Sequence, residues 1–297
     1  MELNQKGLNM SKIAIVGTGR MGTAFAKRLL ETGNEVTVWN RSAKRTAAAA
    51  EAGAQVAQDL AEVVDCEVIL LSLTDAEAVI GVVQNMISAG IQGRLVIDLS
   101  TLLPEETRSI STKLTEAGAE FVDCPVGGTV GPALKGQLLG MAGGAEASFA
   151  KAQPVLSQLC KRVEHLGPAG SGSQMKLAVN LPLAIYWNTL AEAMSLLKGS
   201  GISAATAISL LTDSSGGPNV LKNRGQVVID TLNGTDQPGT FDLAGLLKDL
   251  DLALKQAEVV GSKLSIAEVS GANYRKAIAD GLSNFDGSSL TRHLLSD

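Results

Sequence analysis

Aromatic residues are scarce in this chain: two Trp, two Tyr and five Phe in 297 residues, 3% in all. Binding single-stranded nucleic acid by base stacking needs more rings than that. A basic excess is missing too. Twenty-five Lys and Arg stand against 30 Asp and Glu, net −5, which argues against DNA or RNA as the partner because phosphate binding needs a positive field. No run reaches the roughly 18 apolar residues of a membrane span. The first ten residues carry one lysine and no apolar core, so they read as a loose extension and not as a signal peptide. The three cysteines, Cys66, Cys124 and Cys160, are odd in number and far apart, so they form no disulfide framework and point to reduced thiols in a cytoplasmic protein. Two histidines, His165 and His293, lack ligand-spaced neighbours, which leaves no His/Cys metal site to expect.

What remains is a globular composition, 45% hydrophobic and 19% charged. The length is about twice a common domain, so two domains are expected. Glycine is over-supplied, at 32 residues or about 11%, against a usual value of about 7%. Along the chain, strand and helix periods alternate. Residues 12–17 (KIAIVG) read as a strand, 20–32 as a helix with Met21, Phe25, Leu29 and Leu30 on one face, 35–40 as a strand and 43–52 as a helix. Strands follow at 67–71, 94–99 and 120–124, with a helix at 104–117 that carries proline in its first turn. Such alternation predicts βαβ units and a parallel sheet covered on both faces. After Leu166 only helices are predicted, over 173–197, 203–211, 220–232, 243–260 and 266–280. The domain boundary is therefore placed in the glycine-rich 170–172, giving an α/β domain over 11–172 and an all-helical domain over 173–297.

Gly17, Thr18, Gly19, Arg20, Met21 and Gly22 fit G-x-G-x-x-G, directly after a strand and at the start of a helix. In that context the first glycine makes the turn, the second lets backbone approach a pyrophosphate, and the third packs helix on strand. The helix N-terminus adds N–H donors and partial positive charge. A dinucleotide is the expected cofactor. NAD enzymes place a carboxylate at the end of the second strand for the ribose hydroxyls. Here that strand ends in Asn40, Arg41 and Ser42. A guanidinium and a hydroxyl suit a 2′-phosphate, so NADP(H) is predicted.

Three further motifs follow at intervals: Asp123-Cys124-Pro125-Val126-Gly127-Gly128-Thr129 with Ala133, Gly136 and Leu138 after it; Gly170, Gly172, Lys176 and Asn180; and Lys248-Asp249-Leu250 preceded by Phe241. With the phosphate loop, they resemble the β-hydroxyacid dehydrogenase family (the 3-hydroxyisobutyrate dehydrogenase and glyoxylate/succinic semialdehyde reductase group), over nearly the whole chain. The resemblance implies a Rossmann-type doubly wound sheet joined by a long helix to an all-α C-terminal domain. It implies an NADP-dependent reductase of a small carbonyl compound, reversible as a hydroxy acid dehydrogenase. Lys176 would be the general acid/base and Asn180 would orient substrate or lysine. Leu73, Thr74 and Ser100 or Thr101, at strand ends, would line the cofactor, and Lys248 would reach its nicotinamide end. Gly127, Gly128 and Thr129 would bind substrate. Helical spacing puts Lys176, Asn180, Leu183 and Trp187 on one face, which makes Trp187 a candidate pocket wall.

The chain departs from the family pattern where a substrate serine is usual, for Gly127 stands there, and Thr129 replaces the next glycine. Adjacent amides at Gly127 and Gly128 still form an anion nest. Pro182 removes a helix hydrogen bond and predicts a kink just past Asn180. These departures point to a bulkier or less acidic carbonyl, or to an imine as in the related imine reductases. A third possibility is an NADP-sensing protein without turnover, though Lys176 and Asn180 are both kept. The family also implies a homo-oligomer through the helical domain, dimer or tetramer, with the 284–289 tail resembling the family's last segment.

Overall fold

The structure, a computed structural model, describes residues 11–296; the extension expected at residues 1–10 lies outside the described residues. Contacts divide the chain into two compact units, between Lys176 and Leu177.

Among the described residues the first unit is built on nine strands: β1 (Lys12–Val16), β2 (Glu35–Trp39), β3 (Gln55–Val56), β4 (Val68–Leu71), β5 (Leu95–Asp98), β6 (Glu120–Asp123), β7 (Val126–Gly127), β8 (Leu138–Gly144) and β9 (Cys160–His165). Its order β3-β2-β1-β4-β5-β6 is parallel throughout, the order of a doubly wound dinucleotide-binding sheet. The apolar run of β1 is explained by its neighbours on both sides of the sheet. Ile13 and Ile15 pack with Phe25, Leu29, Val36 and Leu70, while Ala14 and Val16 pack with Ile69, Leu71, Val83 and Val96. A strand buried on both faces has no polar side to alternate with.

The helices of this unit are α1 (Arg20–Glu31), α2 (Ala47–Ala50), α3 (Leu60–Val63), α4 (Ala76–Ala89), α5 (Pro104–Glu116), α6 (Val130–Leu134) and α7 (Glu146–Leu159). The helix expected at 43–52 is split into a 3-10 turn, Ala43–Thr46, and the short α2. Two other expectations are corrected. The sheet is mixed, because β8 runs antiparallel to β6 and β7. α4, α7 and β9 are elements that the periodicity did not separate. β8, LLGMAGG, carries no hydrophobic alternation because its glycines admit close neighbours. α4 is apolar along most of its length, and Asp75 caps its start by accepting from the Ala78 N–H at 2.9 Å.

α8 (Ser171–Ser195) begins in the first unit and continues into the second. The second unit adds α9 (Ala204–Asp213), α10 (Asn219–Leu232), α11 (Leu243–Val259), α12 (Ser265–Ala277) and α13 (Ser288–Ser296). Its core gathers Trp187, Leu190, Ile208, Leu221, Val228, Leu246, Leu250, Tyr274 and Leu290. α8 runs through Pro182 as one uninterrupted helix, so the expected kink does not break it. Among the described residues no helix is long and apolar enough to cross a membrane, and no group of His, Cys, Asp and Glu could hold a metal ion.

All three cysteines are free and buried. Burial raises each thiol above its ordinary value, Cys160 to about 12 and Cys124 well above the usual thiol range. A raised thiol stays protonated and unreactive near neutrality. At pH 8 the folded protein is expected to give no rapid reaction with Ellman's reagent, and three equivalents once denatured. One fast equivalent in the native state would contradict this packing.

Candidate functional site

The phosphate turn follows β1. Gly17 has φ +98°, and a Cβ there would lie 2.3 Å from the Ser72 carbonyl oxygen; one at Gly22 would lie 1.8 Å from the Gly17 oxygen. Neither position admits a side chain. Gly19 differs, for a Cβ there meets nothing within 4 Å. It is the extended N-cap of α1, makes no side-chain cap, and is followed by a first turn without acid. Backbone amides at a helix N-terminus thus border open space in a first turn that carries no acidic side chain, which suits a pyrophosphate. Thr18 Oγ1 is buried without a hydrogen-bond partner in the same turn. The residues present therefore fit a dinucleotide.

The end of β2 is tied to this turn. The Thr18 N–H donates to Asn40 Oδ1 at 3.1 Å, and Asn40 Nδ2 donates to the Ser42 carbonyl at 3.0 Å. Asn40 is thus a brace. Arg41 and Ser42 are exposed just beyond it, followed by exposed Lys44 and Arg45. Arg20 is exposed and Met21 packs on the core beneath. At the next strand ends, the Leu73 N–H donates to Ser100 Oγ at 3.0 Å, and the Ser100 N–H donates to Asp98 Oδ1 at 2.9 Å. Thr74 is exposed and bonds Asp75; Thr101 is half-buried. The structure therefore brings Gly17 to Gly22, Asn40 to Ser42, Leu73, Thr74, Ser100 and Thr101 to the C-terminal ends of β1, β2, β4 and β5, where open α/β sheets bind ligands.

Lys176 belongs to the first unit and is 9% exposed. Its Nζ donates to the Val126 carbonyl at 2.8 Å, across 50 residues of sequence. The ammonium is thereby held against the 123–129 segment, where Gly127 is half-buried in β7, Gly128 is exposed with φ +122°, and Thr129 leads into α6. Beside it Asp123 is buried and accepts from the Gly170 N–H and the Ser173 N–H, each at 2.8 Å. Burial holds the Asp123 carboxyl above its ordinary value, and these amide bonds oppose that rise only in part.

In the helical unit, Asn180 Nδ2 donates to Asp249 Oδ2 at 2.6 Å, and both residues are buried. The other Asp249 oxygen lies 3.3 Å from Lys248 Nζ, an ion-pair distance without hydrogen-bond geometry. Asp249 is a residue the sequence quoted without a role; its place beside Lys248 was the available signal. Trp187, expected as a pocket wall, lies in the core of the helical unit. It is 2% exposed, and a Cβ added at Gly287 would lie 2.2 Å from its Nε1, so the ring fills space that only glycine leaves. A large ring on the apolar face of a helix gains most by such burial.

The chain matches two family models along most of its length. Residues 12–167 match the NAD binding domain of 6-phosphogluconate dehydrogenase. Residues 170–294 match the NAD-binding domain of NADP-dependent 3-hydroxyisobutyrate dehydrogenase. Glyoxylate/succinic semialdehyde reductase 1 of Arabidopsis thaliana is 31% identical over 283 residues, 94% of this chain and 96% of that protein. A solved structure of Mycobacterium tuberculosis 3-hydroxyisobutyrate dehydrogenase with L-serine has a TM-score of 0.86 at 28% identity, covering 96% of this chain and 99% of that one. An imine reductase from Pseudomonas sp. shares the fold, with a TM-score of 0.66 at 18% identity over 95% of this chain and 98% of that one.

Proposed function

Because this chain belongs to the β-hydroxyacid dehydrogenase family of NAD(P)-dependent oxidoreductases, we propose that it is an NADPH-dependent reductase of a small aldehyde or keto compound, reversible as a hydroxy acid dehydrogenase. The observation that carries this reading is Lys176, a buried ammonium donating at 2.8 Å to the backbone of the 123–129 segment. When bound, the reduced nicotinamide supplies the hydride. The chain's own part is the proton and the charge. As the carbonyl carbon gains hydride, its oxygen becomes an alkoxide; the Lys176 ammonium stabilises that charge and gives up one proton to make the hydroxyl. In the reverse direction the neutral amine takes the proton back. Asn180, held by Asp249 in the helical unit, takes the orienting role, toward substrate or lysine. Amides at Gly127 and Gly128 hold the substrate's carboxylate, and the glycine at 127 leaves room where the family has a serine.

NADP(H) is preferred through Arg41 and Ser42, with Lys44 and Arg45 adding positive charge. We assign residues 11–172 to cofactor binding and 173–297 to substrate and self-association, in a cytoplasmic homo-oligomer.

NADPH oxidation measured with glyoxylate, succinic semialdehyde and a cyclic imine tests the reading. An aldehyde should be turned over with a kcat/KM at least about tenfold above the imine, since a group that donates one proton to an alkoxide is what Lys176 supplies. A faster imine puts imine reduction in its place. NADPH binding without turnover of any carbonyl in a wide panel would leave the sensor reading standing.

A further inference from the structure

We propose that Asp123 is a positioning residue for Lys176, tying the first turn of α8 to the 123–129 segment so that the ammonium is held at the place where the substrate oxygen is protonated. The proposal rests on the function assigned above to Lys176.

Asp123 ends β6 and is 1% exposed. Its Oδ1 accepts from the Gly170 N–H at 2.8 Å; its Oδ2 accepts from the Ser173 N–H at 2.8 Å and from Ser173 Oγ at 3.3 Å. Ser173 Oγ is also 2.8 Å from Thr107 Oγ1 on α5. Three residues further along both stretches, Lys176 Nζ donates to the Val126 carbonyl at 2.8 Å. Residues 123–126 and 173–176 therefore run beside one another, joined at both ends. Slippage at the Asp123 end moves the lysine relative to Gly127 and Gly128.

Space has been cleared for this carboxylate. A Cβ at Gly172 would lie 2.8 Å from Asp123 Oδ2 and 2.1 Å from the Met141 carbonyl oxygen, and one at Gly143 would lie 2.6 Å from Asp123 Oδ1. The group must be a carboxylate as well as fit the space. Donors reach both of its oxygens, and an amide offers one accepting oxygen while its NH₂ would meet an N–H. Keeping a charge in a buried place is unfavourable unless it is fully hydrogen-bonded. Burial does push the Asp123 carboxyl up, opposed by the Gly170 and Ser173 amides. A helix that needed only a cap could have an exposed serine there.

The experiment is Asp123→Asn, made alone and in a Lys176→Ala background, together with acetic anhydride labelling of Lys176 measured against exposed Lys151. Asp123→Asn is expected to lower kcat about 10–100-fold, with NADPH Kd unchanged within about twofold. In the Lys176→Ala background the same change should cost less than about twofold, because residues acting through one group are not additive. Acetylation of Lys176 should rise several-fold. An equal loss in both backgrounds, or unchanged labelling in folded Asp123→Asn, overturns the proposal. If Asp123→Asn does not fold, Ser173→Ala, which keeps the amide bond and removes only the hydroxyl bonds, is read the same two ways with smaller factors. The labelling needs no activity. A fully active Lys176→Ala would therefore strike the acid/base role, while labelling still decides whether Asp123 holds the lysine.

Discussion

The Lys176→Ala variant is expected to lose about 10²–10⁴-fold in kcat, the scale of a general acid/base, while NADPH affinity stays within about twofold. The rate falls because the developing alkoxide loses both its proton donor and the charge beside it. Affinity should survive because the groups proposed to meet the cofactor's phosphates, Gly17 to Gly22 and Asn40 to Ser42, are braced by Asn40 and not by Lys176. Lys176 is 9% exposed and donates to Val126, so alanine also leaves a small gap and a carbonyl without that donor. The costs of that gap appear in thermal stability and are separable from kcat by comparing Lys176→Ala with Lys176→Arg. Arginine restores charge and volume but does not release its proton in this pH range. Its kcat should remain near that of the alanine variant if proton transfer is the main role, and recover substantially if charge alone suffices. Steady-state rates and fluorescence titration of NADPH measure the two quantities. Full activity in Lys176→Ala would remove the lysine from the mechanism.

Arg41→Ala is expected to raise the KM for NADPH about 10–100-fold and that for NADH less than about threefold. A charged hydrogen bond to phosphate contributes about 1.5–3 kcal/mol, and 1.4 kcal/mol is a factor of ten. Arg41 is exposed, so solvent screening places the effect toward the lower end. Exposed Lys44 and Arg45 retain part of the field when Arg41 is lost. The NADPH advantage should therefore shrink further as salt is raised. NADH has no 2′-phosphate for the guanidinium to reach, which is why its KM barely moves. Equal effects on both cofactors would show that Arg41 is a solvated surface charge and that the cofactor preference arises elsewhere.

The phosphate turn was legible because its requirements are local. Gly17 needs a positive φ and Gly22 tolerates no Cβ, and both constraints act within a few residues of a strand end. The parallel strands were legible because two-sided burial leaves a continuous apolar run. β8 was not assigned its antiparallel place because glycines opposite Val122 and Asp123 carry no side-chain pattern. α4 is not separated from its surroundings by the sequence reading although its buried face, Val79, Val82, Val83 and Met86, has helical spacing. The burial of Trp187 is not legible because helical spacing says which face a ring is on and says nothing of what covers it; Gly287, a hundred residues later, does.

The excess glycine shows where each kind of information ends. Thirteen of the 32 fall in residues 17–22, 127–144 and 167–172. The amino-acid sequence alone established the family, the two-part α/β and helical division of the pattern, the dinucleotide turn and the candidate lysine, because each rests on short-range spacing. Folding added what those glycines are for. Gly143 and Gly172 clear space around Asp123, whose partners lie 47 and 50 residues away; Lys176 meets Val126 across the same 50. Contacts at that separation leave no period in a chain. They are set by β6, β7 and β8 packing against the start of α8, and they hold the Lys176 Nζ against the Val126 carbonyl.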